Sequence, residues 1–187
     1  MDKLTLMYPL VILDCDGVIN EDSSEYIKSV DEWIPIPGSL EAMAALTQAR
    51  VKVAIATNQS GVSRGYYSEA TLHAMHNKMM KLLAELGGKV DYLAYCIDLP
   101  DSGSTRRKPE PGMLFEISRA LNIPLGKAVF VGDTFSDYQA AQSAGCGFIL
   151  VLSGKGKNTL VNHPELVDNA SVFANLRQAI QHILGNI

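Results

Sequence analysis

Cysteine is scarce: Cys15, Cys96 and Cys146 are the only three, an odd number scattered along the chain. That argues against a disulfide framework and fits a reducing compartment. Long hydrophobic runs are missing too, and no stretch approaches the roughly 20 apolar residues that cross a bilayer. The first residues carry Asp2 and Lys3 ahead of a short apolar run, without the basic start, long apolar centre and small-residue cleavage site of a leader peptide. Neither sign of charge dominates. Sixteen Lys and Arg against 20 Asp and Glu leave a formal net charge of -4, which gives no general attraction to nucleic acid or an anionic membrane. Any anionic ligand must be held by a local basic cluster. Repeats, low-complexity tracts and linkers are absent as well. Together these absences predict a cytoplasmic monomer.

What is present is ordinary for a globular chain. Its 187 residues are 47% hydrophobic and 19% charged, which suits one domain spanning 1–187. Short apolar runs at Leu10–Leu13, Val51–Ala56, Leu93–Ile97, Ala128–Val131 and Phe148–Leu152 read as strands buried on both faces. Between them lie stripes of helical period. Leu40, Met43, Ala44 and Leu46 form one. A second runs from Leu72 through Met75, Met79, Leu82 and Leu83 to Leu86, behind a candidate cap at Ser68. Met113, Leu114, Ile117, Ala120 and Leu121 form a third, and further helices are expected near Ser136–Ala144 and Ser171–Leu184. Alternation of this kind predicts a doubly wound α/β fold with a mainly parallel sheet.

Ligands of such sheets bind beyond the carboxyl ends of the strands, so the residues found there matter most. The first run is followed by Asp14-Cys15-Asp16-Gly17. In an extended chain the two carboxylates share one side, about 7 Å apart. Thr57-Asn58-Gln59-Ser60-Gly61 follows the second run. Arg107-Lys108-Pro109 precedes the third helical stripe, and the fourth run ends in Gly132-Asp133 with Asp137 four residues on. Each piece alone has a plain structural explanation as a turn, a helix cap or a solvated lysine. The conjunction suits phosphoryl transfer. Carboxylates crowded at one point call for a cation, and oxygen ligands favour Mg²⁺. One carboxylate can attack phosphorus, a second can pass a proton, and Thr57 with Lys108 can hold the phosphoryl oxygens.

In this order Asp14-x-Asp16-Gly17-Val18, Thr57-Asn58, Lys108-Pro109 and Gly132-Asp133-x-x-x-Asp137 resemble the four motifs of haloacid dehalogenase-type phosphatases. The resemblance implies Asp14 as nucleophile, Asp16 as general acid/base, and Thr57 and Lys108 on the phosphoryl group. It further implies Asp14, the Asp16 main-chain carbonyl and Asp133 on Mg²⁺, with Asp137 behind the metal or against Lys108. Three longer stretches, Asp16–Asn20, Thr57–Gly65 and Arg107–Met113, are similar to a narrower branch. It holds the D-glycero-D-manno-heptose 1,7-bisphosphate phosphatases and histidinol-phosphate phosphatases, compact proteins without a large cap domain. That similarity implies a small phosphorylated sugar as substrate, with loss of its 7-phosphate, and histidinol phosphate as the alternative. It also places Asn58, Gln59, Ser60, Arg64 and Arg107 on the substrate, where guanidinium forks match phosphate oxygens.

Two departures stand out. The branch often carries a zinc loop of Cys-x-His and Cys-x-Cys, whereas this chain has Cys96-Ile97-Asp98 and Ser104-Thr105-Arg106. One ligand of four is left, and no zinc is expected. Cys15 stands where arginine is common. Other features carry less. Gly154–Thr159 has the wrong spacing for a P-loop and reads as a mobile loop after the last strand, with lysines placed where they can meet a substrate. His73 and His76 share a helical face without a third ligand, which predicts packing or surface roles. Methionines at helical spacing predict core. Two other classes are open at this point: a receiver-like signalling domain, which would keep its phosphoryl group for minutes, and a protein that binds phosphate compounds without turnover.

Overall fold

The computed structural model of the protein describes residues 8–185, so the reading of residues 1–7 lies outside it. Six strands form one sheet in the order β3-β2-β1-β4-β5-β6, every neighbouring pair parallel. They are β1 (Leu10–Leu13), β2 (Lys52–Asn58), β3 (Tyr92–Cys96), β4 (Ala128–Gly132), β5 (Gly147–Val151) and β6 (Ser171–Phe173). The first five coincide with the predicted apolar runs. All four residues of β1 and all five of β4 are buried, because helices cover both faces of the sheet.

The helices are α1 (Ser39–Gln48), α2 (Glu69–Glu85), α3 (Gly112–Leu121), α4 (Phe135–Ala144), α5 (Gly156–Asn162), α6 (Leu166–Asn169) and α7 (Leu176–Ile183). Their ends follow local chemistry. Ser68 caps α2 by accepting the Thr71 N–H at 3.0 Å, as the sequence predicts. Thr134 and Asp137 close a reciprocal capping box on α4. Asn122 and Gly145 end α3 and α4 in the left-handed region. The helix expected over 171–184 is corrected: it divides into the edge strand β6 and α7, which starts where the Asn175 side chain accepts from Gln178 N. The loop expected at 154–159 is corrected as well, since α5 begins at Gly156. Among the described residues no helix is long and apolar enough to cross a membrane.

One core layer lies between the sheet and α1, α2 and α7, the other between the sheet and α3 and α4. Met43, Met75, Met79 and Met113 are all in these layers, the role their spacing predicts. His76 of α2 is also buried, and its Nε2 has no hydrogen-bond partner among the described residues. Burial, with His73 nearby, lowers its pKa to about 4. An unfolded chain therefore takes up this proton first as pH drops below the ordinary value of 6.5. We expect stability relative to a His76→Leu variant, which has no proton to bind, to fall between pH 6.5 and 4 by about 3 kcal/mol. Urea unfolding across that window measures it. A flat difference would mean that His76 is hydrated in the fold.

Register sets what meets at the sheet's carboxyl edge. Leu13 pairs with Ile55 on one side and with Val131 on the other. Asp14 is therefore level with Ala56 and Gly132, and Thr57 and Asp133 are one residue further on. The chain moves to opposite sides of β1 in its two halves, so the switch point of the sheet lies at these residues.

Candidate active site

After Leu13 the backbone stays in the sheet for one more residue, with Asp14 N–H donating to Val131 O at 3.0 Å. It then turns sharply. The Cys15 carbonyl accepts from Val18, Ile19 and Asn20, and Gly17 adopts φ +82°. A side chain at Gly17 would also collide with the Asp133 carboxylate, its Cβ lying 2.2 Å from Oδ2. The turn leaves Asp14 and Asp16 both lining one cleft of about 340 Å³, within the usual size of small-molecule sites.

Lys108 is the hub of this cleft. Only 4% of it is exposed, the reverse of a solvated lysine. Its ammonium donates a hydrogen bond to Ala56 O at 2.9 Å and forms ion pairs with Asp14 Oδ1 at 2.8 Å and Asp137 Oδ1 at 2.7 Å. Its backbone is clamped by the Asn58 side chain, which donates to Lys108 O and accepts from Lys108 N at 3.0 and 3.1 Å. Asn58 thus lines the cleft with its amide already committed. Asp137 is fully buried, and its other oxygen accepts from the N–H and hydroxyl of Thr134. Gly132 leaves room for it, since a Cβ there would lie 2.5 Å from that of Asp137.

Asp133 is 1% exposed. Its Oδ2 accepts from the Lys155 N–H at 2.7 Å, whereas Oδ1 has no hydrogen-bond partner among the described residues. Carboxylate oxygens of Asp14, Asp133 and Asp137 come within 4.8 Å of one another. Burial pushes Asp14 up to about 7, with Asp137 adding to it and Lys108 opposing. Asp133 rises to about 8, for burial and for the neighbouring Asp14 and Asp137. Burial pulls Lys108 down, but Asp137 and Asp14 outweigh it and hold its pKa above the ordinary range. Hard oxygen ligands, an orphaned buried oxygen and two carboxyls that ionise reluctantly without a cation fit Mg²⁺.

Other predicted residues fall into three groups. Thr57 (1% exposed) and Ser60 line the cleft, as does Arg107, whose guanidinium donates to Asp98 O at 2.9 Å. Gln59 lines it too, but its amide turns inward to Asp16, Thr57 and Tyr67. Arg64 is exposed on the turn after Gly61 and is not among the lining residues. Lys155, set aside with its glycine-rich segment, does line the cleft and pairs with Asp22 at 3.2 Å. Its sequence signal is that of a lysine in the loop just beyond the fifth strand, where it can meet a substrate. In the segment where the branch carries zinc, Cys96 Sγ donates to Asp98 Oδ2 at 3.3 Å and lies 3.8 Å from Ser104 Oγ. Hydrogen bonds among the replaced residues hold that loop. Burial, reinforced by Asp16 and Asp14, keeps the Cys15 thiol well above its usual pKa. It is therefore an S–H donor, to Asn20 Oδ1 at 3.1 Å.

The HAD-hydrolase-like family model matches residues 105–179. A D-glycero-beta-D-manno-heptose-1,7-bisphosphate 7-phosphatase of Pseudomonas aeruginosa is 53% identical over 151 residues, covering 81% of this chain and 85% of the relative. The protein of that name in Neisseria meningitidis is 44% identical over 176 residues, 94% of each chain. Among solved structures, the D,D-heptose 1,7-bisphosphate phosphatase of B. bronchiseptica, complexed with magnesium and phosphate, superposes with a TM-score of 0.91 at 46% identity. The match covers 95% of this chain and 99% of that one. With four motifs at one sheet edge and identity of this extent, the chain belongs to the heptose-1,7-bisphosphate 7-phosphatases, a branch of the haloacid dehalogenase-type phosphatases.

Proposed function

We propose that the protein hydrolyses D-glycero-D-manno-heptose 1,7-bisphosphate, releasing the 7-phosphate through a phosphorylated Asp14. The observation that carries this reading is the buried set of Asp14, Lys108 and Asp137 at the switch point, beside the orphaned oxygen of Asp133. Asp14 Oδ1 is occupied by Cys15 N–H and by Lys108, which leaves Oδ2 as the attacking oxygen. That oxygen forms a bond to phosphorus as the ester P–O bond breaks. Asp16 gives its proton to the departing sugar oxygen, then takes one from the water that attacks the aspartyl phosphate. Thr57 and Lys108 hold the remaining phosphoryl oxygens as charge shifts onto the leaving group. Asp14, Asp133 and the Asp16 carbonyl would hold Mg²⁺, which supplies charge neutralisation at the phosphoryl group.

Arg107, which lines the cleft, suits a second phosphate, since a guanidinium fork pairs with two oxygens at once. The whole site is carried by one sheet, which supports reading 1–187 as one catalytic domain acting without a partner chain.

Phosphate release from a panel of heptose, hexose and histidinol phosphates tests the reading. The expected result is a preference of at least tenfold in kcat/KM for the heptose bisphosphate, lost in EDTA and restored by Mg²⁺. Preference for another phosphate ester would keep the chemistry and replace the substrate. Saturable binding with no release would point to a protein that only binds such compounds.

A further inference from the structure

Asp16 is gripped on both sides by carboxamides. Asn20 Nδ2 donates to Oδ1 at 2.8 Å, and Gln59 Nε2 donates to Oδ2 at 3.0 Å. A carboxamide has two chemically opposite ends of nearly the same shape. Turned the other way, each would set an oxygen against an Asp16 oxygen. Something must therefore fix its sense. Behind each amide stands one donor: Tyr67 O–H reaches Gln59 Oε1 at 2.7 Å, and Cys15 S–H reaches Asn20 Oδ1 at 3.1 Å. Asn20 is fully buried, and Cys15, Gln59 and Tyr67 are each less than 10% exposed, so water does not readily substitute for either donor.

The surrounding motif residues serve the same bracket. Gly61 has a tyrosine ring where a side chain would go: a Cβ there would lie 2.3 Å from the Tyr67 ring. Any other residue pushes Tyr67 away from Gln59. Thr57 Oγ1, at 3.1 Å, takes the second hydrogen of the Gln59 amide, and Glu21 O, at 2.9 Å, that of Asn20. All four amide hydrogens and both amide oxygens are thus accounted for.

We infer that Tyr67 and Cys15 are positioning residues for proton transfer by Asp16, acting through Gln59 and Asn20. They fix the direction of each amide and so the place of the carboxyl that serves the leaving oxygen. The inference rests on the reading of Asp16 as the acid.

The test compares kcat/KM for phenyl phosphate, whose leaving oxygen needs the proton, with that for p-nitrophenyl phosphate, whose leaving group departs unaided. The two substrates are nearly alike in size, and kcat/KM reports the steps through cleavage of the ester. Tyr67→Phe and Cys15→Ala are expected to lower it about tenfold for phenyl phosphate and less than threefold for p-nitrophenyl phosphate. Cys15→Ser keeps a donor and is expected to return the ratio to that of the parent. Asp16→Asn serves as control, with the largest selective loss.

Equal losses on both substrates in Tyr67→Phe and Cys15→Ala, or no loss on either, would overturn the inference while Asp16→Asn still discriminates. If Asp16→Asn itself loses both substrates equally, the acid assignment falls and this inference with it. Should Cys15→Ala fail to fold by its thermal melt, the near-isosteric Tyr67→Phe decides alone.

Discussion

Asp14→Asn is expected to lower phosphate release by on the order of 10⁴-fold or more while raising the stability of the metal-free protein. The first effect follows from chemistry, because an amide oxygen does not displace the ester oxygen and no aspartyl phosphate forms. Incubation with radiolabelled substrate should leave the variant unlabelled. The second follows from burial, which pushes Asp14 up to about 7. A carboxyl whose pKa rises on folding binds its proton more tightly in the fold, so stability falls as pH climbs from about 4 to 7. Asparagine has no proton to lose and escapes this. Lys108 keeps Asp137 and Ala56 O as partners in the variant, so no lone charge is created. Without Mg²⁺ at pH 8 the variant should unfold a few kcal/mol later than the parent, with the difference gone near pH 4. Turnover within tenfold of the parent would remove Asp14 as the nucleophile.

Lys108→Met acts in the opposite direction on stability. Methionine has a suitable length for the space but leaves Asp14 and Asp137 buried without their cation. Breaking a buried ionic cluster from one side costs about 3–5 kcal/mol. Part of this should be regained at acid pH, where Asp14, raised to about 7 by burial, takes up a proton, so urea unfolding at pH 5 and pH 8 should separate the two conditions. Activity should fall by about 10³-fold, since a positioned charge on the phosphoryl oxygens is lost. The double variant with Asp14→Asn is the sharper measurement. It should be more stable than Lys108→Met alone at pH 8, because one of the stranded charges has gone. A Lys108→Met protein as stable as the parent at pH 8 would mean that the cluster is hydrated rather than buried.

Much of the floor of the site was legible because Asp14, Thr57 and Asp133 lie at the ends of buried strands, and apolar runs mark those strands without any knowledge of neighbours. Asp14, Thr57 and Asp133 needed only the parallel register to be brought together. What was illegible is direction. Asn58 and Gln59 stand in the motif beside Thr57, and their type alone suggests outward contact with a ligand. In the fold one clamps the backbone of Lys108, 50 residues away, and the other braces Asp16. A carboxamide serves either purpose, and the choice depends on partners remote in sequence. Arg64 shows the same limit in reverse: the motif arginine is on an exposed turn, outside the residues that line the cleft. β6 was missed because its three residues are exposed or half-buried at the edge of the sheet. Such a strand has no apolar run to display. α5 starts with glycine and is anchored by Thr159 Oγ1 to Asp133 O at 2.7 Å, a tertiary contact that no helical period announces.

The difference in construction between floor and walls bears on how such a protein diversifies. On the floor, Lys108 answers to Asp14, Asp137 and Ala56 at once, and Gly17 and Gly132 give way to carboxylates that no side chain could share space with. A substitution there disturbs several partners, and a lineage that accepts one loses its chemistry. The walls at Asp22–Ile27 and Lys155 belong to segments that leave the sheet and return to it, joined across the cleft by the partly exposed ion pair of Lys155 and Asp22. After gene duplication, one copy is free to exchange those wall residues and drift towards another phosphate ester while its reaction stays the same. Natural selection can therefore explore substrates here without first having to rediscover the reaction.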